Sequence, residues 1–176
     1  MIQLNEQLKD KLALLFLVSL LFLIALWGAR LLGWIEGGPK ENVINARLFV
    51  AAPGGGLKVV YVDVLESQYN AESLWEKLKE ASENMQESLL PSEARLLAVR
   101  EEDTILVASF SADLAGKRYL GSNEEISLVY SIVNTLSELP QIESVHILIE
   151  GMIIESLGDH VDLTTPLPPD FSIVQE

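Results

Sequence analysis

Residues 122–151, SNEEISLVYSIVNTLSELPQIESVHILIEG, read as one capped helix, a proline stop and a buried strand, and the rest of the chain is organised around them. Ser122 with Glu125 three residues on has capping-box spacing, in which each side chain answers a backbone N–H left free in the first turn. Ile126, Val129, Tyr130, Val133 and Leu136 recur at steps of three and four, which sets them on one apolar face. Pro140 donates no N–H and turns Leu139 away from helical angles, so the helix is expected to stop there. Val145, Ile147 and Ile149 then alternate with Ser144, His146 and Glu150, the period of a strand with one buried face. Gly151 permits a tight turn after it.

Upstream, residues 47–52 (RLFVAA) and 57–65 read as two strands joined through Pro53-Gly54-Gly55-Gly56. No Lys-Ser/Thr pair follows the glycines and a strand comes next, so they make a hairpin turn and no phosphate cradle. A first amphipathic helix is expected over 71–89, with Ser73 and Glu76 as its capping box and Leu74, Leu78, Ala81 and Met85 on its core face. Trp75 lies beside that stripe. Residues 94–100 and 104–109 form a second hairpin around Glu101 to Asp103. Residues 111–121 are a loop with the chain's single adjacent basic pair, Lys117-Arg118. Downstream of Gly151, residues 152–157 read as a last short strand, and the proline-containing tail from Gly158 runs extended over the domain. Strands in runs, separated by two amphipathic helices, give an α+β fold: a mixed or antiparallel sheet with both helices packed on one face.

Further out, residues 12–29 carry no charge and span about 27 Å at 1.5 Å per residue, close to a bilayer's hydrocarbon core. The run is apolar on every side and no small-residue cleavage site follows, which favours an uncleaved transmembrane helix over a core helix or a signal peptide. Arg30 can snorkel, and Trp27 and Trp34 suit the far interface. Lys9 and Lys11 before the run, against Arg30 after it, favour a cytoplasmic N-terminus and an extracytoplasmic domain. The expected divisions are 1–11, a short cytoplasmic tail; 12–34, the transmembrane helix; 35–45, a linker; 46–168, the domain; and 169–176, a C-terminal tail.

Composition narrows the chemistry. The net charge of -14 over 176 residues argues against nucleic acid, whose phosphates need clustered Lys and Arg. With no cysteine there is no disulfide, thiol nucleophile or thiolate metal site. His146 and His160 each sit near acids, but a strand face and a tail are expected to hold them in structural roles. No Gly-x-Ser-x-Gly elbow occurs. The acids at 101–103 and 124–125 fall at a turn and a helix start, where acids serve the backbone. The sequence therefore predicts no catalytic residue, no cofactor and no metal. Candidate contacts for a ligand or partner are Ser111, Lys117 and Arg118 in the loop, and Asn134 and Thr135 beside the core stripe of the second helix.

The Val133-Asn134-Thr135-Leu136 run, Glu138 to Pro140, the strand from Val145 to Glu150, Gly151, His160 to Leu163 and Pro166 together resemble the GerMN domain of sporulation and spore germination proteins. Leu90-Pro91 ahead of Leu96 to Val99, and the strand ending Phe110-Ser111, fit as well, so the resemblance covers roughly residues 47–168. Three positions depart from it: the Glu102-Asp103 turn lacks the usual glycine, Ser109 stands where an acid is frequent, and Gln141 replaces a common glycine. The resemblance implies the same α+β architecture, similarity to ring-building modules of sporulation secretion complexes, and a non-catalytic interaction module of the bacterial envelope acting with an envelope protein or by self-assembly. Two other classes are a sensor binding a small ligand or cell-wall fragment near Asn134, Ser111 and Lys117, and an envelope hydrolase using His146 or His160.

Overall fold

A computed structural model describes residues 6–31, 41–52, 54–85, 88–116 and 121–175. The chain divides into two compact units, Met1–Lys40 and Glu41–Glu176. In the first, α1 (Glu6–Leu31) is one continuous helix. Its segment Lys9–Gly28 has a mean hydropathy of 2.3 over 20 residues and none of it is buried, so it is long and apolar enough to cross a membrane.

The second unit opens with β1 (Val43–Ala51) and β2 (Leu57–Leu65), an antiparallel hairpin in register from Val43↔Leu65 to Ala51↔Leu57. β1 takes in Val43 to Asn45, residues that read as linker. Gly54, Gly55 and Gly56 have φ of 86°, 104° and 81°, left-handed values that glycine reaches without a Cβ clash. The glycine run is thus a hairpin turn, as expected.

Next comes α2 (Ala71–Glu83), whose N-cap is Asn70: its side chain accepts the Ser73 N–H at 2.9 Å. The expected box of Ser73 and Glu76 is corrected, because both residues already lie inside the helix. The helix also ends six residues before the expected Leu89. Trp75 is core, 1% exposed, with its ring 4.8 Å from that of Phe110.

Strands β3 (Leu96–Glu102) and β4 (Ile105–Phe110) pair antiparallel, slightly later than their expected bounds, with a bulge between Leu96 and Ala98. Helix α3 (Ser122–Leu136) carries the chain across, and β5 (Ser144–Ile149) joins β4 in parallel. The fold is α+β, as expected, with the five strands in two sheets: β1-β2, and a mixed sheet in the order β3-β4-β5. Residues 152–157 form no strand. A tight turn instead closes Met152 back onto Ile149 by two backbone bonds of 2.9 and 3.0 Å, with Glu150 at φ 51° and Gly151 at φ 76°.

Register explains the main core. Leu106, Ala108 and Phe110 of β4 stand opposite Val145, Ile147 and Ile149 of β5, and all six are buried. They meet Leu74, Trp75 and Leu78 of α2, the apolar residues of α3, and Ala46, Leu48 and Val50 from one face of β1. The other face of β1 turns Phe49 and Ala51 into a smaller cluster with Leu57 and Leu89, against which Ile173 and Val174 of the tail pack. Period-2 alternation in β1 thus feeds two cores at once.

Candidate functional site

Helix α3 is buried well beyond its predicted stripe. Leu128, Val129, Ile132, Val133 and Leu136 face the main core, while Ser127, Ser131, Asn134 and Thr135 are also at or below 2% exposure. Ser131 bonds back to the Leu128 carbonyl of the same helix, while the other three meet backbone groups of other segments. Thr135 Oγ1 accepts the Phe49 N–H of β1 at 2.9 Å, and Ser127 Oγ accepts the Gly56 N–H at 2.8 Å. Asn134 makes a two-point clamp on one tail residue: its amide donates to the Asp170 carbonyl at 2.8 Å and accepts the Asp170 N–H at 2.9 Å.

Glu125 is the residue that the sequence misassigned. The helix is capped one residue earlier, at Gly121, whose N–H donates to Glu124 Oε2 at 3.1 Å. Glu125, one position on, falls three and four residues before Leu128 and Val129 and is 0% exposed. Its carboxylate accepts the Leu157 N–H at 2.9 Å and the His160 N–H at 2.8 Å, pinning the loop that follows β5. That i, i+3, i+4 spacing was the available signal.

The tail beyond Asp170 closes over the β1-β2 hairpin. Leu57 donates to the Ile173 carbonyl at 3.0 Å and accepts the Gln175 N–H at 2.8 Å, a parallel bridge at the start of β2. Phe171 tilts over Phe49 at 5.4 Å, and the Arg47 guanidinium lies 5.6 and 5.7 Å from the two ring centres. Arg47 also grips Glu138 with two bonds of 2.9 and 2.6 Å. That carboxylate raises the Arg47 pKa against the opposing pull of partial burial. Burial, then the Glu138 charge, raises the Tyr69 phenol, whose hydroxyl donates to the Glu138 carbonyl at 2.8 Å.

Three of the five candidate contact residues, Ser111, Asn134 and Thr135, are therefore engaged by the chain itself. Ser111 is 1% exposed; its hydroxyl accepts the Arg95 N–H at 3.1 Å and donates to Asp113 at 2.9 Å. Ser111, Asn134 and Thr135 serve three different segments. Lys117 and Arg118 lie outside the described residues. His146 is half-buried on the β5 face opposite Val145, and its Nε2 has no hydrogen-bond partner among the described residues. His160 is exposed. Among the described residues no group of three His, Asp or Glu side chains is arranged to hold a metal.

Two of the open depressions on the domain's surface involve residues already described. One of about 470 Å³ is lined by Glu155, Ser156, Asp159, His160, Val161, Asp162 and Thr164. In it Asp162 is held below its usual pKa, first by the Thr164 hydroxyl and then by the Thr164 N–H. The other, about 550 Å³, runs along the start of α2 with Tyr69, Glu72, Arg100 and Gln141 on its walls. Met152 and Ile153, 64% and 61% exposed at the turn after β5, end two residues before Glu155, the first residue lining the first depression.

Residues 47–155 match the family model Germane, described as sporulation and spore germination. No curated protein matches the chain. Among solved structures the chain is similar to the first GerMN domain of the sporulation protein GerM from Bacillus subtilis. The identity is 19% over 72% of this chain and 96% of that one, with a TM-score of 0.52. The tandem GerMN domains of the same protein match at 19% identity and a TM-score of 0.52, over 74% of this chain and 46% of that one, so the chain spans under half of the tandem structure. A protein described as a lipoprotein from Clostridium perfringens matches at 18% identity and a TM-score of 0.51, over 73% of this chain and 87% of that one. At these identities the likeness is one of fold.

Proposed function

Because this chain belongs to the Germane family of sporulation and spore germination, we propose that it is a membrane-anchored, non-catalytic interaction module of the bacterial cell envelope, acting in one of those processes. In this reading α1 crosses the membrane with its N-terminus in the cytoplasm, and the α+β domain works outside. The observation that carries it is where the polar groups go. Among the described residues only Trp75 Nε1, Ser137 Oγ and His146 Nε2 are buried side-chain N or O atoms without a partner; the serines that are buried whole, Glu125, Asn134 and Thr135 all bond to the chain's own backbone. Such groups build a rigid scaffold and leave recognition to its surface.

The two depressions are open and mostly polar, which suits contact with a protein better than enclosure of a small ligand. The apolar run of α1 supplies the tether. A strain carrying the native gene with codons 2–40 removed tests the reading. The untethered domain is expected to accumulate folded yet fail to support spore formation or germination, whereas the full chain supports both. Full support by the untethered domain would sink the anchored reading. N-terminal sequencing of the mature protein should begin ahead of the apolar run, before Leu12; a start beyond Leu31 would mean that α1 is a cleaved signal.

A further inference from the structure

Resting on the interaction-module reading, we propose that Met152 and Ile153, with the acidic segment that follows them from Glu155, form the docking tip for a protein partner that presents an apolar pocket rimmed by Lys or Arg. Among the described residues of the domain they are the one adjacent pair of large apolar side chains that are both exposed, at 64% and 61%. Neither contributes to the core, which takes Ile154 and Leu157 instead. Folding gives no reason for two such side chains at a turn.

The tip is also held rigid. Met152 and Ile149 exchange backbone bonds, and the Glu150 N–H donates to the Phe110 carbonyl at 2.8 Å. The Glu150 carboxylate accepts the Ala112 N–H at 2.9 Å, and the Gly151 N–H donates to Ser109 Oγ at 2.8 Å. Ser109 thus fastens the turn. A turn whose backbone is already fixed loses little backbone freedom on docking and can present an anchor for an interface. Methionine adds the adaptability that interface pockets favour.

Charge selects the partner. Glu150 and Glu155 bracket the pair in sequence, and Asp159 and Asp162 line the depression that follows. After Arg118 the chain carries ten Asp and Glu and no Lys or Arg. A second copy of this surface, or anionic lipid headgroups, would be repelled, whereas a basic rim around an apolar pocket is attracted and steered into register.

The test places a photo-crosslinking amino acid at position 153 of the full chain, and separately at Tyr61, exposed on β2, in the membranes of the native organism. Adducts and their contact peptides are identified by mass spectrometry. The expected result is an adduct from position 153 to one protein, at a peptide containing apolar residues and Lys or Arg. Its yield should fall at least fivefold with either Met152→Ser or Glu155→Gln, and should fall as salt is raised. Adducts only to a second copy or to lipid, no adduct, or a yield that ignores both substitutions would overturn the proposal. Protein adducts from Tyr61 alone would also overturn it, while leaving the interaction-module reading standing.

Discussion

Glu125 is a buried acid that ties the start of α3 to the loop after β5. Fully buried, it satisfies two backbone N–H groups of the loop at 155–163, and its place in the first turn of α3 suits the positive end of the helix dipole. Glu125→Gln keeps one acceptor but turns an amide NH₂ toward a backbone donor. The expected loss is about 2–3 kcal/mol, the scale of a hydrogen bond to a charged group plus an unsatisfied donor. Urea unfolding reads the loss, and amide exchange at Leu157 and His160 should quicken; an unchanged midpoint would contradict the assignment. Gln141 is the opposite case. It has φ 69° in the turn that closes from Leu139 to Ile142 behind Pro140, a position suited to glycine. Gln141→Gly should therefore raise stability by about 0.5–1 kcal/mol, less the entropy of a freer unfolded chain. A clear loss in the same urea measurement would show that the Gln141 side chain contributes something the turn does not require.

At the scale of elements, the C-terminal tail acts as a strap across the hairpin. A chain ending at Pro169 loses the Asn134 clamp, the bridge at Leu57 and the cover over Phe49, an expected cost of about 3–5 kcal/mol from hydrogen bonds and apolar burial together. Asn134→Ala alone should cost about 2 kcal/mol, because it strands two backbone groups. A truncated chain with the full-length urea midpoint would refute the strap. Little of this was legible in the sequence. Period-2 and period-3.6 patterns say that a face is buried and not against what, so β1 to β5 and both domain helices could be read while the division into two sheets could not. The caps, though not the start of α2 at Ala71, were misplaced for a related reason: Asn70, Ser73, Gly121 and Ser122 all suit a cap, and only the preceding chain path decides among them. Asn134 and Thr135 were singled out as contacts because polar residues beside a core stripe stand out. Their partners, Asp170 and Phe49, are distant in sequence and carry no local mark. The exposed Met152-Ile153 tip was hidden inside a pattern that read as strand, which the tight turn at Glu150-Gly151 cut short.

For the whole molecule, the division at Lys40 predicts that residues 41–176 fold cooperatively once freed from α1, since both hydrophobic clusters lie within that unit. Non-cooperative unfolding of that fragment would mean that the domain depends on the apolar segment. The net charge of -14 favours solubility of such a domain and, in the proposed reading, attraction to basic partners. The central claim, a domain displayed outside the cytoplasm on a membrane helix, is tested most directly by adding protease to intact protoplasts carrying the full chain with an epitope tag at its N-terminus. The account predicts that the Glu41–Glu176 unit is digested without lysis while a membrane-bound fragment keeps the tag. Protection of that unit until the membrane is broken would place it in the cytoplasm and contradict the account.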